Sequence, residues 1–136
     1  MESLARPYYY ASAISTVAAV PAVDVITGGA SGAGVDASRL GVITRQIADV
    51  REAGVELAVV VGGGNFIRGK DLRDTGMAPA VADTMGMLAT VMNGIALQDS
   101  LEHLGVAVRL QTAIPMQAVA EPYIRGRCLS HLEKKR

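Results

Sequence analysis

The 136-residue chain has no tryptophan, one phenylalanine and four tyrosines, so aromatic side chains contribute little to any core it builds. That scarcity, beside abundant Ala, Val, Leu and Met, suits helices packed on a buried parallel sheet better than a sandwich or barrel. Cys128 is the single cysteine. It excludes an intrachain disulfide and fits a reducing compartment. Net charge is formally zero, and the one basic block is the final three residues. A nucleic-acid polymer is therefore not an expected partner, and a small molecule is. The two histidines, His103 and His131, have no acidic or cysteine partner at ligand spacing. No metal site is expected from them, and both read as surface residues. No unbroken apolar run reaches the roughly 18 residues of a spanning helix, so no membrane segment is expected. Ala11 to Val23 is mildly apolar, but Glu2 offsets Arg6 and Pro21 interrupts the run. A secretory leader is not expected either.

What the chain does have is glycine in one telling place. Leu57 to Val61 is a short apolar run that stops at Gly62, Gly63 and Gly64. This pattern reads as a buried strand opening into a loop where backbone comes close to something. Bare N–H groups on such a loop can converge on an anion, and glycine can take positive φ there without strain. Arg68, four residues on, can reach back with a planar, permanently charged fork suited to phosphate oxygens. The spacing matches neither the Walker loop nor the dinucleotide fingerprint. An ordinary strand-to-helix turn beside a solvated arginine is the alternative reading.

Length implies one domain. Residues 1–22 are an unassigned segment, a loose tail or an edge strand near Ile14 to Val20. Val23 to Ile26 reads as a short strand, and Thr27 to Gly34 as a linker or a second glycine-rich loop. Asp36 is a plausible helix N-cap, and Leu40, Ile43, Ile47 and Val50 form a helical stripe ending near Gly54. The run Val55 to Val61 reads as a strand buried on both faces, with Phe66 to Arg73 adding a helical turn or two. Pro79 suits the first turn of a long helix, Ala80 to Leu104, whose stripe is Val81, Met85, Leu88, Met92, Ile95 and Leu101. Met85, Met87 and Met92 read as core or interface filler. Gly86 and Gly94 inside it each cost about 1 kcal/mol against alanine, which close approach of another backbone would offset. Asp83 sits near its start, either facing the glycine loop or serving the helix dipole. A strand Val106 to Leu110 and a helical tail Tyr123 to Lys134 complete the order. The alternation predicts a parallel sheet with its ligand at the carboxyl ends of the strands.

Three blocks are more specific: Gly62-Gly-Gly-Asn-Phe-Ile-Arg-Gly69, Ala82-Asp-Thr-Met-Gly-Met-Leu-Ala-Thr-Val-Met-Asn-Gly-Ile-Ala-Leu-Gln-Asp99, and Ala113-Ile-Pro115 with Glu121-Pro-Tyr123. Together they closely resemble the first half of the bacterial uridylate kinases, within the amino acid kinase family. Gly32-Ala-Gly-Val-Asp36 looks like that family's Gly-Phe-Gly-Ile-Asp turn, and the resemblance covers Gly32 to Arg136. It implies a three-layer αβα sandwich with a mainly parallel sheet, incomplete here, with residues 23–136 as the partial domain on the nucleoside monophosphate side. It also implies UMP and ATP as substrates, Mg2+ as cofactor, a homohexamer and a cytoplasmic enzyme. Gly63 and Asp83 look like UMP-binding positions, Gly64 and Arg68 look like contacts to the ATP phosphates, and Arg68 is the catalytic candidate.

Two departures stand beside the match. The family's opening Lys-Leu-Ser-Gly-Glu motif has no counterpart, for no basic residue stands between Arg6 and Arg39. The chain ends at Glu133-Lys-Lys-Arg136, before that family's Gly-Thr-Gly-Asn-Pro-Phe-Phe-Thr loop and its ATP-binding half. The expectation is a chain that is inactive alone and carries an unpaired apolar sheet edge. A non-catalytic interaction module built on the Met-rich helix is the alternative. A relative with a carboxylate acceptor fits the block Ala82 to Asp99 less well.

Overall fold

The computed structural model describes residues 16–19, 34–66 and 76–136, the first group by backbone alone. In chain order these form β1 (Thr16–Ala19), α1 (Ala37–Glu52), β2 (Leu57–Val60), α2 (Pro79–His103), β3 (Gln111–Thr112), β4 (Glu121–Pro122) and α3 (Arg125–Glu133). β1 pairs in parallel with β2, Thr16 opposite Leu57, and β3 in parallel with β4, Gln111 opposite Glu121. Helices therefore alternate with parallel pairs, the pattern of an incomplete α/β fold. The strand expected at Val23 to Ile26, the glycines before Gly34 and the helical turn reaching Arg73 lie outside the described residues.

α1 starts and stops where its residue types dictate. Asp36 takes the extended N-cap conformation, and its carboxylate accepts from the N–H groups of Ser38 at 2.9 Å and Arg39 at 3.1 Å. Two of the helix's four unpaired donors are thereby satisfied. At the other end Gly54 adopts φ +85°, a left-handed turn that costs glycine nothing. Inside the helix Thr44 is buried against α2. Its Oγ1 lies 2.7 Å from Leu40 O and 2.9 Å from Ser100 Oγ. A hydroxyl has one proton, so Thr44 gives it to Leu40 and accepts the proton of Ser100.

α2 is the central element, and toward its start it buries a face other than the expected one. Val81, Leu88, Met92 and Ile95 are exposed, whereas Ala82, Ala89, Asn93, Gly94, Leu97 and Leu101 are buried. At 100° per residue these sets fall on opposite sides of the helix. Val81, Leu88, Met92 and Ile95 look outward while small residues, Ala82 and Ala89, make the buried face toward the start of the helix; Leu101, the last of the stripe, is buried as expected, with Val91 and Leu97. By length and composition alone α2 would serve to cross a membrane, with mean hydropathy 1.3 over its best window. Its polar Asn93 is fully buried and hydrogen-bonded within the protein.

Two strand expectations need correction. Val60 at the end of β2 is 62% exposed, because nothing among the described residues covers it, so the strand is not buried on both faces. Residues 106–110 form no ladder with any other described residues. A strand needs a partner alongside, and pairing begins only where Glu121 N donates to Leu110 O at 3.0 Å and Tyr123 N to Thr112 O at 2.9 Å. His103 is exposed as expected, but His131 is not: its side chain is 15% exposed, and Nε2 lies 2.9 Å from Glu121 Oε2.

Candidate active site

The glycine loop leaves the carboxyl end of β2 and lies directly on α2. A Cβ built on Gly63 would fall 2.6 Å from both Gly86 O and Thr90 N and 2.8 Å from Ala89 Cβ. No side chain fits there. Gly63 is thus explained by packing, and positive φ plays no part in the triplet, since none of the three adopts it. Gly86 supplies the carbonyl that the loop approaches, but a Cβ on Gly86 itself would meet nothing within 4 Å, so the contact does not require glycine there. Gly94 differs from expectation: the group that would meet its Cβ, at 2.6 Å, is Leu110 Cδ1, a side chain and not a backbone.

Two asparagines hold the loop in place. Asn93 of α2 is 0% exposed and Asn65, just past the glycines, 3%. Their amides exchange hydrogen bonds, Asn65 Nδ2 donating to Asn93 Oδ1 at 2.9 Å and Asn93 Nδ2 donating to Asn65 Oδ1. The second proton of each amide goes to a loop carbonyl: Asn93 to Gly62 O at 2.7 Å, Asn65 to Gly34 O at 3.0 Å. Gly34 N returns a bond to Asn65 O at 3.1 Å. Both amide orientations follow from these carbonyls, which accept and cannot donate. Gly34 is thereby docked on the loop after β2 and is not part of a free linker. Gly63 O accepts from Phe66 N at 3.1 Å, closing a tight turn. Among the described residues, the N–H groups of Gly62, Gly63 and Gly64 donate to no backbone carbonyl.

Of the residues expected in the site, Gly63 is buried against α2 and Gly64 is partly exposed. Asp83 is exposed on α2, one turn before Gly86 and seven residues before Thr90, hence on the helix face that meets the loop. No acidic residue lies in the first turn of α2, which weakens a helix-dipole role for Asp83. Arg68 lies outside the described residues. A separate open concavity of about 200 Å3, lined by Gln98, Arg109, Gln117 and Glu121 among others, touches none of these positions.

The profile described as Amino acid kinase family matches residues 25–132. The chain belongs to the amino acid kinase family. Two solved structures sharpen the relation. A UMP kinase from Bacillus anthracis is 33% identical with a TM-score of 0.80, the match covering 88% of this chain and 49% of that one. A UMP kinase from Ureaplasma parvum is 27% identical with a TM-score of 0.79, over 88% of this chain and 50% of that one. The chain spans about half the length of these relatives.

Within this amino acid kinase the residues that sequence reasoning did not single out are Asn65, Asn93 and Thr44. A signal existed for one of them. Asn93 is an uncharged polar residue amid apolar neighbours in mid-helix, a position that a buried, fully paired amide explains.

Proposed function

We propose that this chain is the nucleoside monophosphate side of a UMP kinase, which transfers a phosphoryl group from ATP to UMP and yields UDP and ADP in pyrimidine nucleotide synthesis. The observation that carries the reading is the seating of the Gly62–Gly64 loop on α2, which puts Asp83 on the helix face that meets the loop. The likeness to two UMP kinases supports it. In this reading the Gly63 N–H binds the UMP phosphate, and Asp83 accepts hydrogen bonds from UMP hydroxyl or ring donors. Gly64 and Arg68 contact the ATP phosphates near the point of transfer, Arg68 as the catalytic residue that spreads the developing charge. The acceptor is a phosphate oxygen that is already anionic, so no strong general base is required. ATP supplies the phosphoryl group. Among the described residues no group of three His, Cys, Asp or Glu is placed to hold a metal ion, so none is assigned to Mg2+. Cytoplasmic location and assembly into a homohexamer belong to the same proposal. For the 136 residues alone we expect nucleotide binding without turnover.

The exposed apolar face of α2 favours a second reading, a non-catalytic module that joins copies of itself or longer subunits through this helix. Calorimetry with UMP, and CMP as control, separates the two. Saturable UMP-selective binding, weakened about tenfold or more in Asp83→Ala, supports the kinase reading. No heat with either nucleotide, from a chain folded by circular dichroism, moves the conclusion to the module.

A further inference from the structure

We infer that Asn93 is a positioning residue that sets the direction of the Gly63 N–H through its own bond to Gly62 O. The inference deepens the kinase reading and rests on it for its ligand. In a trans peptide the carbonyl of one residue and the N–H of the next point to opposite sides of the chain, and no cis bond occurs among the described residues. Asn93 Nδ2 pulls Gly62 O toward α2 at 2.7 Å, so the N–H of Gly63 is turned away from Asn93. The next plane is fixed separately, because Phe66 N holds Gly63 O at 3.1 Å and so orients the N–H of Gly64. Gly63 has little room toward α2, since even a Cβ there would fall 2.6 Å from Gly86 O and Thr90 N. One buried amide therefore decides which way the donor faces, and a flipped Gly62–Gly63 plane would present a carbonyl to the phosphate.

The two asparagines offer a matched pair of variants. Asn93→Asp and Asn65→Asp each remove one of the two reciprocal amide bonds and one anchor to a backbone carbonyl. Only Asn93→Asp removes the anchor on Gly62, and it sets a carboxylate against that carbonyl. A purely structural pair would respond alike to both changes. In the 136-residue chain, residual dipolar couplings of backbone amides report the angle of the Gly63 N–H relative to α2. The expected result is a changed Gly63 coupling in Asn93→Asp and an unchanged one in Asn65→Asp. UMP affinity should fall about tenfold or more in Asn93→Asp and much less in Asn65→Asp, even where the two melt at similar temperatures. Equal Gly63 couplings in the two variants, or equal losses of UMP affinity, would overturn the inference. If wild-type chain binds no UMP, the kinase reading fails while the couplings still judge the role of Asn93. Should a variant not fold, the wild type decides: the Gly63 amide proton must shift on UMP saturation while the Asn93 side-chain amide stays protected from exchange, and an unmoved Gly63 resonance overturns the assignment.

Discussion

Gly63 and Gly86 meet backbone to backbone: a Cβ on Gly63 would lie 2.6 Å from the carbonyl oxygen of Gly86, while a Cβ on Gly86 itself would meet nothing within 4 Å. The two glycines therefore respond oppositely to alanine. Gly63→Ala forces the loop off the helix and should cost about 2–3 kcal/mol, the upper range for overpacking. Gly86→Ala fills open space in a helix interior and should gain about 0.5–1 kcal/mol. Urea titration followed by circular dichroism measures both. Similar changes of the same sign would contradict the close approach.

Thr44 and Ser100 are the polar stitch between α1 and α2. Thr44→Val keeps the shape and removes the hydroxyl, leaving Ser100 Oγ without this partner, and should cost about 1 kcal/mol. Ser100→Ala in the Thr44→Val background should cost less than in the wild type, since the shared bond is already gone. A double-mutant cycle by urea denaturation gives the coupling directly.

Glu121 titrates below its ordinary range, first because His131 hydrogen-bonds its carboxylate and also because Arg127 lies near. The Gln111 side-chain amide, which lies on the same carboxylate, adds to the pull. A carboxylate whose folded pKa is depressed contributes stability that is fully present above the unfolded value and is lost as pH falls through the folded one. The difference in melting temperature between wild type and Glu121→Gln should therefore be full above about pH 5 and shrink as the solution becomes more acidic. A difference that grows toward low pH would contradict the pairing.

Val81, Leu88, Met92 and Ile95 present an apolar stripe to solvent on α2. If the helix joins copies of the chain, the paired change Leu88→Glu with Met92→Lys should lower the assembled mass in sedimentation velocity while leaving helix content unchanged. An unaltered mass would place the contacts between copies elsewhere.

Much of this was legible because local chemistry and tertiary structure agree. Asp36 and Gly54 bound α1 where their residue types require, and the glycine triplet marks the end of β2. The first turns of α2 were misread because apolar periodicity weighs large side chains, whereas there the helix packs through Ala82, Gly86, Ala89 and Asn93, which score weakly or not at all on such a scale; Leu101, from the same stripe, is buried as expected. The run 106–110 was misread as a strand because β character in sequence reports a preference, and a ladder also needs a neighbour. Asn65 and Asn93 were invisible as a pair, being 28 residues apart and joined only by the fold.

The contact of Gly63 on α2 has a consequence for how the site can vary. A joint between two main chains contains no rotatable side chain, so its spacing does not depend on rotamer choice and cannot be adjusted in small steps by larger or smaller residues. Position 63 should behave as a binary site in a saturation scan, with glycine at full population and the other nineteen residues clustered together far below it. The height of the loop above the helix then acts as a fixed gauge, the same for any chain that keeps this glycine, however far the surrounding surface drifts.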